Sequence, residues 1–342
     1  MKKIFILLAS VILCANSCSV TKGQGKVPLM TRDFPASSIK EVEAITSGGS
    51  LTLSGDADSK AMVEVYISHS NWSDEKIKQV LDENYTIDIK VENGKLYAVA
   101  KQKKTISNWN SQGLSISFKI SVPKQINSNL QTSGGSIHIS NISGSQNFKT
   151  SGGSLMVENV SGNTVGSTSG GSITVKGSTD NIDLTTSGGS ITAKDCNGKI
   201  NLITSGGSLN LNNLGGNIKA TTSGGSVIAN NINGTLITGT SGGSMKLNGI
   251  SGNVDAQTSG GNIDVKMKSA SDFVKLSNSG NITLSLPAGK GYNLKVKSNK
   301  IETSGLKDFR GNTDTKSMEG TIGNGGAEIN VNSSQRVRIV FE

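Results

Sequence analysis

Apolar residues alternate with polar ones along most of the chain, and the alternation repeats with a fixed period of 18 residues. Each period contains the motif Thr-Ser-Gly-Gly-Ser or, in the last one, Thr-Ser-Gly-Gly-Asn. These motifs begin at Thr132, Thr150, Thr168, Thr186, Thr204, Thr222, Thr240 and Thr258. A further copy begins far upstream at Thr46, and a degenerate copy, Ser279-Gly280-Asn281, follows out of phase. A fixed period of this length is the sequence signature of a repeat architecture.

Two columns of the aligned repeats are apolar without exception. The column three residues after the first glycine contains Ile137, Leu155, Ile173, Ile191, Leu209, Val227, Met245 and Ile263. The column five residues after it contains Ile139, Val157, Val175, Ala193, Leu211, Ala229, Leu247 and Val265. Apolar residues at every second position predict a β-strand with one buried face. A similar alternation before each motif predicts a second strand in each repeat.

Each repeat is therefore predicted to run as strand, Ser-Gly-Gly turn, strand and second turn, with glycine supplying the positive φ that the turns need. Since one repeat cannot bury its own apolar face, consecutive repeats must stack. We predict an all-β fold, a β-solenoid of 18-residue two-strand coils. Its threonines should form a hydroxyl ladder at one corner, and an amide ladder should form at another. The amide ladder would contain Asn141, Asn159, Asn213 and Asn231.

The flanks of the repeat run keep strand character but lose the phase. Residues 39–126 are predicted to form the first coil and a β-rich N-terminal cap, which carries one short amphipathic helix over Ser73–Tyr85. Residues 127–268 form the regular repeats. Residues 269–342 form irregular coils and a C-terminal cap, with a surface loop predicted over Ser304–Gly326.

The first 17 residues have the pattern of a bacterial signal peptide. Lys2 and Lys3 precede a ten-residue apolar stretch, Ile4–Leu13, which is too short to span a bilayer. Cys18 directly follows small residues at the expected cleavage site, as in a lipobox, and we expect its thiol to carry lipid. Residues 18–38 would then be a linker from the anchor. The alternative is ordinary secretory cleavage, which leaves a soluble secreted protein.

The repeat motifs resemble the β-solenoid domains of bacterial envelope proteins called "putative adhesin", related to the head-GIN and auto-transporter-adhesin-like group. Besides the Thr-Ser-Gly-Gly-Ser-aliphatic motif, Ile120-Ser121-Val122-Pro123 and Ile282-Thr283-Leu284-Ser285-Leu286-Pro287 carry the resemblance, which covers about residues 39–342. It implies an exported or membrane-anchored protein, in some cases connected with envelope stress. The family's function is unknown, so it supplies no catalytic residues.

The sequence offers no constellation of catalytic or metal-binding residues. A glycoside hydrolase needs two carboxylates about 5–10 Å apart. Asp183 and Asp255 share a column, but they lie four repeats apart. Neither His69 nor His138 has a cysteine or acidic residue at metal-ligand spacing. We therefore expect a protein that is not an enzyme and has no metal site and no cofactor. Cys196 falls in an apolar column and is predicted to be a buried, unreactive thiol.

Charge and aromatic residues provide four candidate binding residues. The formal net charge is +9, but the lysines are scattered, and we expect no nucleic-acid partner. Lys176 and Lys194 occupy the same outward column on adjacent repeats. Trp72 and Trp109 are the only tryptophans in the chain, and exposed aromatic rings stack on sugars or anchor partners. The alternative for both tryptophans is that they pack the helix onto the cap.

These observations favour a non-catalytic envelope lipoprotein with a rigid face for adhesion or envelope interaction. We expect it at the outer membrane, on the periplasmic side, anchored to the bilayer through Cys18. Envelope polysaccharide or another envelope protein would be its partner. Two alternatives remain open, a polysaccharide-acting β-helix enzyme and a structural or accessory component of an envelope-stress system.

Overall fold

The computed structural model describes residues 27–69, 72–103 and 113–342. These residues form an all-β protein with one α-helix and one turn of 3-10 helix at Ala36–Ser38, which confirms the all-β part of the predicted fold. Their 27 strands belong to a single hydrogen-bonded sheet. The signal peptide, Cys18 and Trp109 lie outside the described residues.

The strands fall into three groups along the chain. The N-terminal strands are Met30–Pro35 (β1), Glu41–Ile45 (β2), Leu51–Ser54 (β3), Lys60–Ser68 (β4), Tyr85–Glu92 (β5), Lys95–Gln102 (β6) and Ser115–Ser121 (β7). The strands of the repeats are Asn127–Gln131 (β8), Ile137–Ser140 (β9), Ser143–Lys149 (β10), Leu155–Glu158 (β11), Ser161–Thr168 (β12), Ile173–Lys176 (β13), Thr179–Thr186 (β14), Ile191–Lys194 (β15), Asn197–Thr204 (β16), Leu209–Thr221 (β17), Val227–Thr240 (β18), Met245–Thr258 (β19) and Ile263–Asn278 (β20). The C-terminal strands are Ile282–Leu286 (β21), Tyr292–Lys297 (β22), Lys300–Ser304 (β23), Phe309–Thr313 (β24), Ser317–Ile322 (β25), Ala327–Ser333 (β26) and Arg336–Phe341 (β27).

The repeat strands pair in parallel with the strands one period away. Ile173 lies beside Ile191, and Ile191 lies beside Leu209, so that each residue neighbours its equivalent 18 positions along the chain. This register continues through the repeats from β8 to the first part of β20, apart from bulges between β19 and β20. The two apolar columns predicted from the sequence are buried in every repeat.

The glycines of the Ser-Gly-Gly corner serve a different purpose from the one predicted. None of them has a left-handed backbone among the described residues; positive φ occurs instead in the second turn, for example at Gly198 and Gly216. At the Ser-Gly-Gly corner the second glycine is needed because consecutive repeats approach closely. A Cβ placed on Gly189 would lie 2.2 Å from the carbonyl oxygen of Gly171. The sequence-based assignment of positive φ to this corner is therefore wrong.

The threonine column also differs from the predicted hydroxyl ladder. The hydroxyl of Thr186 donates a hydrogen bond to the carbonyl of Gly171 in the preceding repeat, at 2.7 Å. The same hydroxyl accepts a hydrogen bond from the backbone N–H of Gly189 in its own corner, at 3.3 Å. Each threonine hydroxyl therefore links the backbone of its own corner to the backbone of the preceding repeat. The hydroxyls do not form the predicted ladder, because they bond to backbone groups instead of to one another.

The asparagine column forms side-chain bonds between repeats, as expected for an amide ladder. Asn159 donates to Asn141 at 3.0 Å, and Asn231 donates to Asn213 at 3.2 Å. All four residues have a left-handed backbone, with φ between 53° and 56°. Asparagine tolerates this conformation better than most residues, and its amide can both donate and accept. The column therefore closes a tight corner and links the repeats at the same time.

The helix α1, Asp74–Asn84, lies in the N-terminal cap where the sequence predicts it. Its N-cap Ser73 accepts a hydrogen bond from the backbone N–H of Lys76 at 3.4 Å. Val80 is buried, and Ile77 and Leu81 pack partly buried against the core. The apolar stripe of the helix thus covers the strands beneath it.

The upstream motif at Thr46 lies directly beside the first regular repeat, although the two are far apart in sequence. Strand β2 pairs in parallel with β8, and β3 pairs in parallel with β9, so that Leu51 neighbours Ile137. The residues between them build the cap: β6 pairs with β2, β7 pairs with β3, and β5 and β4 add antiparallel strands. Strand β1 then pairs with β4.

At the C-terminal end, the order of strands in the sheet differs from their order in the chain. Strand β27 lies between β21 and β23, and β26 lies between β20 and β22. Strands β26 and β27 therefore each lie between two strands that precede them in sequence. Ser304–Gly326, predicted as a surface loop, instead contains the antiparallel strands β24 and β25, and β25 also pairs with β22. The glycine and asparagine residues of this segment form tight turns between paired strands. A surface loop is rich in the same residues, so composition alone does not distinguish the two structures.

Candidate functional site

The regular repeats expose two sets of strand residues to solvent. We call the surface formed by β9, β11, β13, β15 and the first parts of β17–β20 the first face. The second face is formed by β8, β10, β12, β14, β16 and the later parts of β17–β20. On both faces inward residues are buried and the residues between them are exposed or half-buried. Because strands pair in register, each exposed residue belongs to a column that runs along the stack.

Lys176 and Lys194 lie side by side on the first face, as their spacing predicts. Both side chains are exposed, and beside them Thr174 and Thr192 form the next outward pair. Lys194 has one weak ion pair, at 3.9 Å, with Asp195. The structure therefore shows a small basic patch with two hydroxyl groups, open to solvent and without walls.

His138 and Glu158 form a contact on the first face that sequence spacing did not reveal. Nε2 of the His138 ring lies 3.1 Å from Oε2 of Glu158. The two residues are 20 positions apart, one repeat plus two residues, so they are neighbours only when the repeats are stacked. Among the described residues, no group of three or more His, Cys, Asp and Glu side chains could hold a metal ion.

Of the two tryptophans, the structure describes Trp72 and not Trp109. Trp72 is half-buried just before helix α1, packs against the core, and stacks on the His69 ring with 3.8 Å between ring centroids. Trp109 lies outside the described residues, as does Cys18, so the structure does not bear on their predicted roles.

Cys196 is buried in the core of the repeats, as predicted. It is 2% exposed, and its thiol donates to the carbonyl oxygen of Lys194 at 3.2 Å. Burial raises the pKa of the Cys196 thiol, because the charged thiolate is poorly solvated there. The thiol is therefore a packing group, and it is kept in its neutral form.

A groove on the second face brings together polar residues of which the sequence analysis considered only Asp183. It has a volume of about 480 Å³ and crosses the strands β14, β16, β17 and β18. Its outward side chains are Asn181, Asp183, Lys199, Asn201, Asn217, Lys219, Thr235 and Ile237. They occupy the columns eleven and thirteen residues after the first glycine of each motif. Aligning those two columns in the sequence would have revealed a run of amide and charged residues.

The groove contains both fixed and free polar groups. The amide of Asn201 donates to Asp183 at 2.8 Å, and this bond orients both side chains. The other atom of that amide, Oδ1 of Asn201, is buried and has no hydrogen-bond partner in the described protein. Lys199 and Lys219 are exposed on neighbouring strands and form no ion pair with any residue that the structure describes. The groove therefore offers unused ammonium donors beside an amide and a carboxylate that already orient each other.

The arrangement of carboxylates on the second face does not match that of a glycosidase. Asp183 is the only acidic residue that lines the groove. Asp255 lies in the same column, but it is four strand spacings away from Asp183. The residues between them in the column are Asn201, Lys219 and Ile237. Four spacings amount to about 19 Å, which exceeds the separation of roughly 5–10 Å that paired catalytic carboxylates need.

Comparisons with known proteins give weak likenesses. No family model matches the chain, and no curated protein matches it. A solved structure described as a "putative cell adhesion protein" from Clostridium sporogenes has 10% identity and a TM-score of 0.21, over 92% of this chain and 99% of its own. A "putative adhesin" from Bacteroides fragilis has 12% identity and a TM-score of 0.23, over 92% and 96%. A "putative lipid binding protein" from Parabacteroides distasonis has 16% identity and a TM-score of 0.28, over 91% and 96%. Two of these names agree with the family that the sequence resembles, but the superpositions are too poor to carry an argument.

Proposed function

We propose that the protein is a non-catalytic β-solenoid of 18-residue coils that binds envelope polysaccharide in the groove of its second face. The parallel register, in which each residue neighbours its equivalent 18 positions away, supports the solenoid of residues 127–268. Residues 39–126, with the first coil, and residues 269–342 cap its two ends. A stack of this kind is rigid, because every coil is bonded to both neighbours.

The polar composition of the groove is the observation that carries this proposal. Polysaccharides present many hydroxyl groups, each able to donate and accept, and amide and ammonium groups pair with them directly. Asn201, Asn217, Lys199 and Lys219 supply such groups on adjacent strands, with Ile237 as an apolar surface at one end. The groove crosses four neighbouring strands, which are about 4.8 Å apart, and it therefore runs along the stack. An elongated groove suits an extended polymer better than a compact ligand.

The first-face patch of Lys176 and Lys194 is the weaker candidate for the same role. Its lysines are exposed on a flat surface, and ion pairs or hydrogen bonds formed in full solvent contribute little to affinity. In the groove the lysines stand beside amide groups and the apolar side chain of Ile237, so that one ligand can make several contacts at once.

Binding to purified polysaccharide tests the groove. Replacing Lys199, Asn201 and Lys219 together with alanine should weaken binding to purified peptidoglycan or outer-membrane polysaccharide at least tenfold, measured by co-sedimentation. Each lost hydrogen bond contributes about 1 kcal/mol, and a tenfold change corresponds to about 1.4 kcal/mol. The matched control is Lys176→Ala with Lys194→Ala, which removes two lysines from the first face and should leave binding unchanged.

Two results would contradict the polysaccharide proposal. One is that neither polymer binds the wild-type protein at micromolar concentration. The other is that the first-face variant loses binding while the groove variant keeps it, which would place the ligand at Lys176 and Lys194. A melting curve for each variant separates lost contacts from lost folding.

We further propose that the mature protein is held at the outer membrane, on the periplasmic side, by lipid on Cys18. The signal-like residues 1–17 and the cysteine that follows them support this anchor. In the described part of the chain no helix has the length and apolar character needed to cross a membrane.

Metabolic labelling tests the anchor. Cells given labelled palmitate should incorporate the label into the wild-type protein and into Cys196→Ser, but not into Cys18→Ser. Cys196 is the control because it is the other cysteine outside the predicted signal peptide and is buried. Equal labelling of the Cys18 variant and the wild type would contradict lipidation at this residue.

A further inference from the structure

Three loops meet at the C-terminal end of the stack and enclose a second cavity. They are the segments 287–291 between β21 and β22, 305–308 between β23 and β24, and 323–326 between β25 and β26. The cavity has a volume of about 610 Å³, within the range of small-molecule sites. It is formed by the C-terminal cap and shares no lining residue with the second-face groove.

The rim of this cavity carries unpaired positive charge. Lys290 and Lys307 come from two different loops, and both are exposed. Neither forms an ion pair with a residue that the structure describes. Asp308 is the one acidic residue of the lining, so the lining has a net positive charge. Two ammonium groups that converge on one cavity favour an anionic group between them.

Two large apolar side chains line the cavity together with these charged residues. Ile322 is 8% exposed, and the half-buried ring of Phe341 also lines the cavity. The Phe341 ring also packs against Tyr292 in a tilted arrangement, with 6.2 Å between the ring centroids. An aromatic face of this kind packs against a sugar ring or another flat apolar surface. The ligand should therefore combine a negative charge with a small ring.

Close backbone contacts hold the three loops in position. A Cβ on Gly291 would lie 2.1 Å from the carbonyl oxygen of Gly325, and one on Gly305 would lie 2.3 Å from that of Phe341. Gly305 and Gly325 also have positive φ, at 73° and 79°. By contrast, a Cβ on Gly289, φ 72°, would meet no atom within 4 Å. Gly289 therefore marks an open part of the rim, while the other glycines keep the loops together.

We propose that this cavity, which we call the C-terminal pocket, binds a monosaccharide that carries a phosphate or a carboxylate. Lys290 and Lys307 hold the anionic group, and Phe341 supports the sugar ring. A sugar phosphate and a sugar carboxylate share the features that the pocket would recognise, one anionic group and one small ring. This site lies beyond the polysaccharide groove and does not depend on it, since the two sites are built from different strands.

Titration calorimetry on the whole protein tests the proposal with four probes. Glucose 6-phosphate or glucuronic acid should bind, and the better of the two shows whether the pocket prefers phosphate or carboxylate. Glucose should bind at least tenfold more weakly, because it lacks the charge. Inorganic phosphate should also bind at least tenfold more weakly, because it has no ring to contact Phe341.

Three variants complete the test, two that should weaken binding and one control. Lys290→Ala combined with Lys307→Ala should weaken binding of the anionic sugar at least tenfold. Lys295→Ala combined with Lys297→Ala, on the exposed side of β22, removes two positive charges outside the pocket and should have no effect. Gly289→Asn should weaken binding by narrowing the open rim without changing the charge, since asparagine tolerates positive φ. Unchanged melting temperatures would show that each variant is folded.

Several outcomes would overturn the proposal. If neither anionic sugar binds, there is no such site. If glucose binds as tightly as glucose 6-phosphate, or if the double lysine variant binds normally, the lysines do not recognise an anion. If inorganic phosphate binds as tightly as the sugars, the pocket holds a bare anion and Phe341 has no role. None of these outcomes affects the polysaccharide experiment, whose variants lie in the groove of the second face.

Discussion

Deleting Thr186–Ile203 should leave a folded protein that is shorter by one strand spacing, about 4.8 Å. The deletion removes one period of 18 residues and places Thr204 where Thr186 stood, which is its neighbour in the native register. Strand β13 would then pair with the first part of β17 through equivalent residues, Ile173 beside Leu209. Since each coil contacts only its neighbours, the ends of the stack are unaffected. Circular dichroism should show an unchanged β spectrum, and thermal unfolding should remain cooperative.

The control for this experiment is the deletion of Thr186–Leu202, which is one residue shorter. It places Ile203 at the corner position that needs a threonine hydroxyl, and it leaves one coil with one residue too many. Strand side chains alternate between the faces, so a shift of one residue turns buried positions outward at that junction. We expect aggregation or rapid proteolysis. If the two deletion variants behave alike, the chain is not a stack of 18-residue coils, and the groove that depends on the stack fails as well.

Substituting the second glycine of a single Ser-Gly-Gly corner should destabilise the protein severely. The Cβ of Gly189→Ala would lie 2.2 Å from the carbonyl oxygen of Gly171, which is far inside normal contact distance. The atom it meets is backbone, held by the hydrogen bond from Thr186, and it cannot rotate away. The repeats would have to separate locally, and we expect a loss of about 3 kcal/mol or more in the free energy of unfolding.

The neighbouring glycine provides a control that changes the same type of residue in the same corner. A Cβ on Gly188 would have its nearest neighbour at 3.4 Å, an ordinary contact, and Gly188 does not have a left-handed backbone. Gly188→Ala should therefore be neutral or stabilising by up to about 1 kcal/mol, because alanine restricts the unfolded chain. Urea unfolding of both variants measures the difference. Similar midpoints for the two would mean that the close approach of adjacent corners is not real.

The sequence predicted well those features that depend on a single repeated position. The buried columns, the asparagine corner and the burial of Cys196 all follow from aligning the repeats, because stacking turns sequence columns into spatial columns. Helix α1 was predictable from local signals alone, namely the N-cap Ser73 and the apolar stripe that follows it.

Other features could not be read from the sequence because they depend on contacts between distant residues. The steric need for Gly189 is set by the preceding corner, whereas sequence rules associate glycine with positive φ. The C-terminal strand order depends on pairings between residues about 35 to 55 positions apart, such as Ile282 with Val337, which follow no period. The groove is formed by outward residues of four neighbouring strands whose types vary from repeat to repeat, so no single column of the sequence marks it as a site.

The interleaving of β26 and β27 with earlier strands has a consequence for the order in which the protein can assemble. Each regular repeat pairs with the repeat that precedes it in the chain, so the repeats can add to the sheet one after another. Strand β23 is different, since its described partner is β27, which lies further along the chain. Until Arg336–Phe341 is in place, β23 has no described strand beside it, and β21 has one open edge. The C-terminal pocket therefore forms only when β27 has closed that end of the sheet, whereas the groove can form before it does.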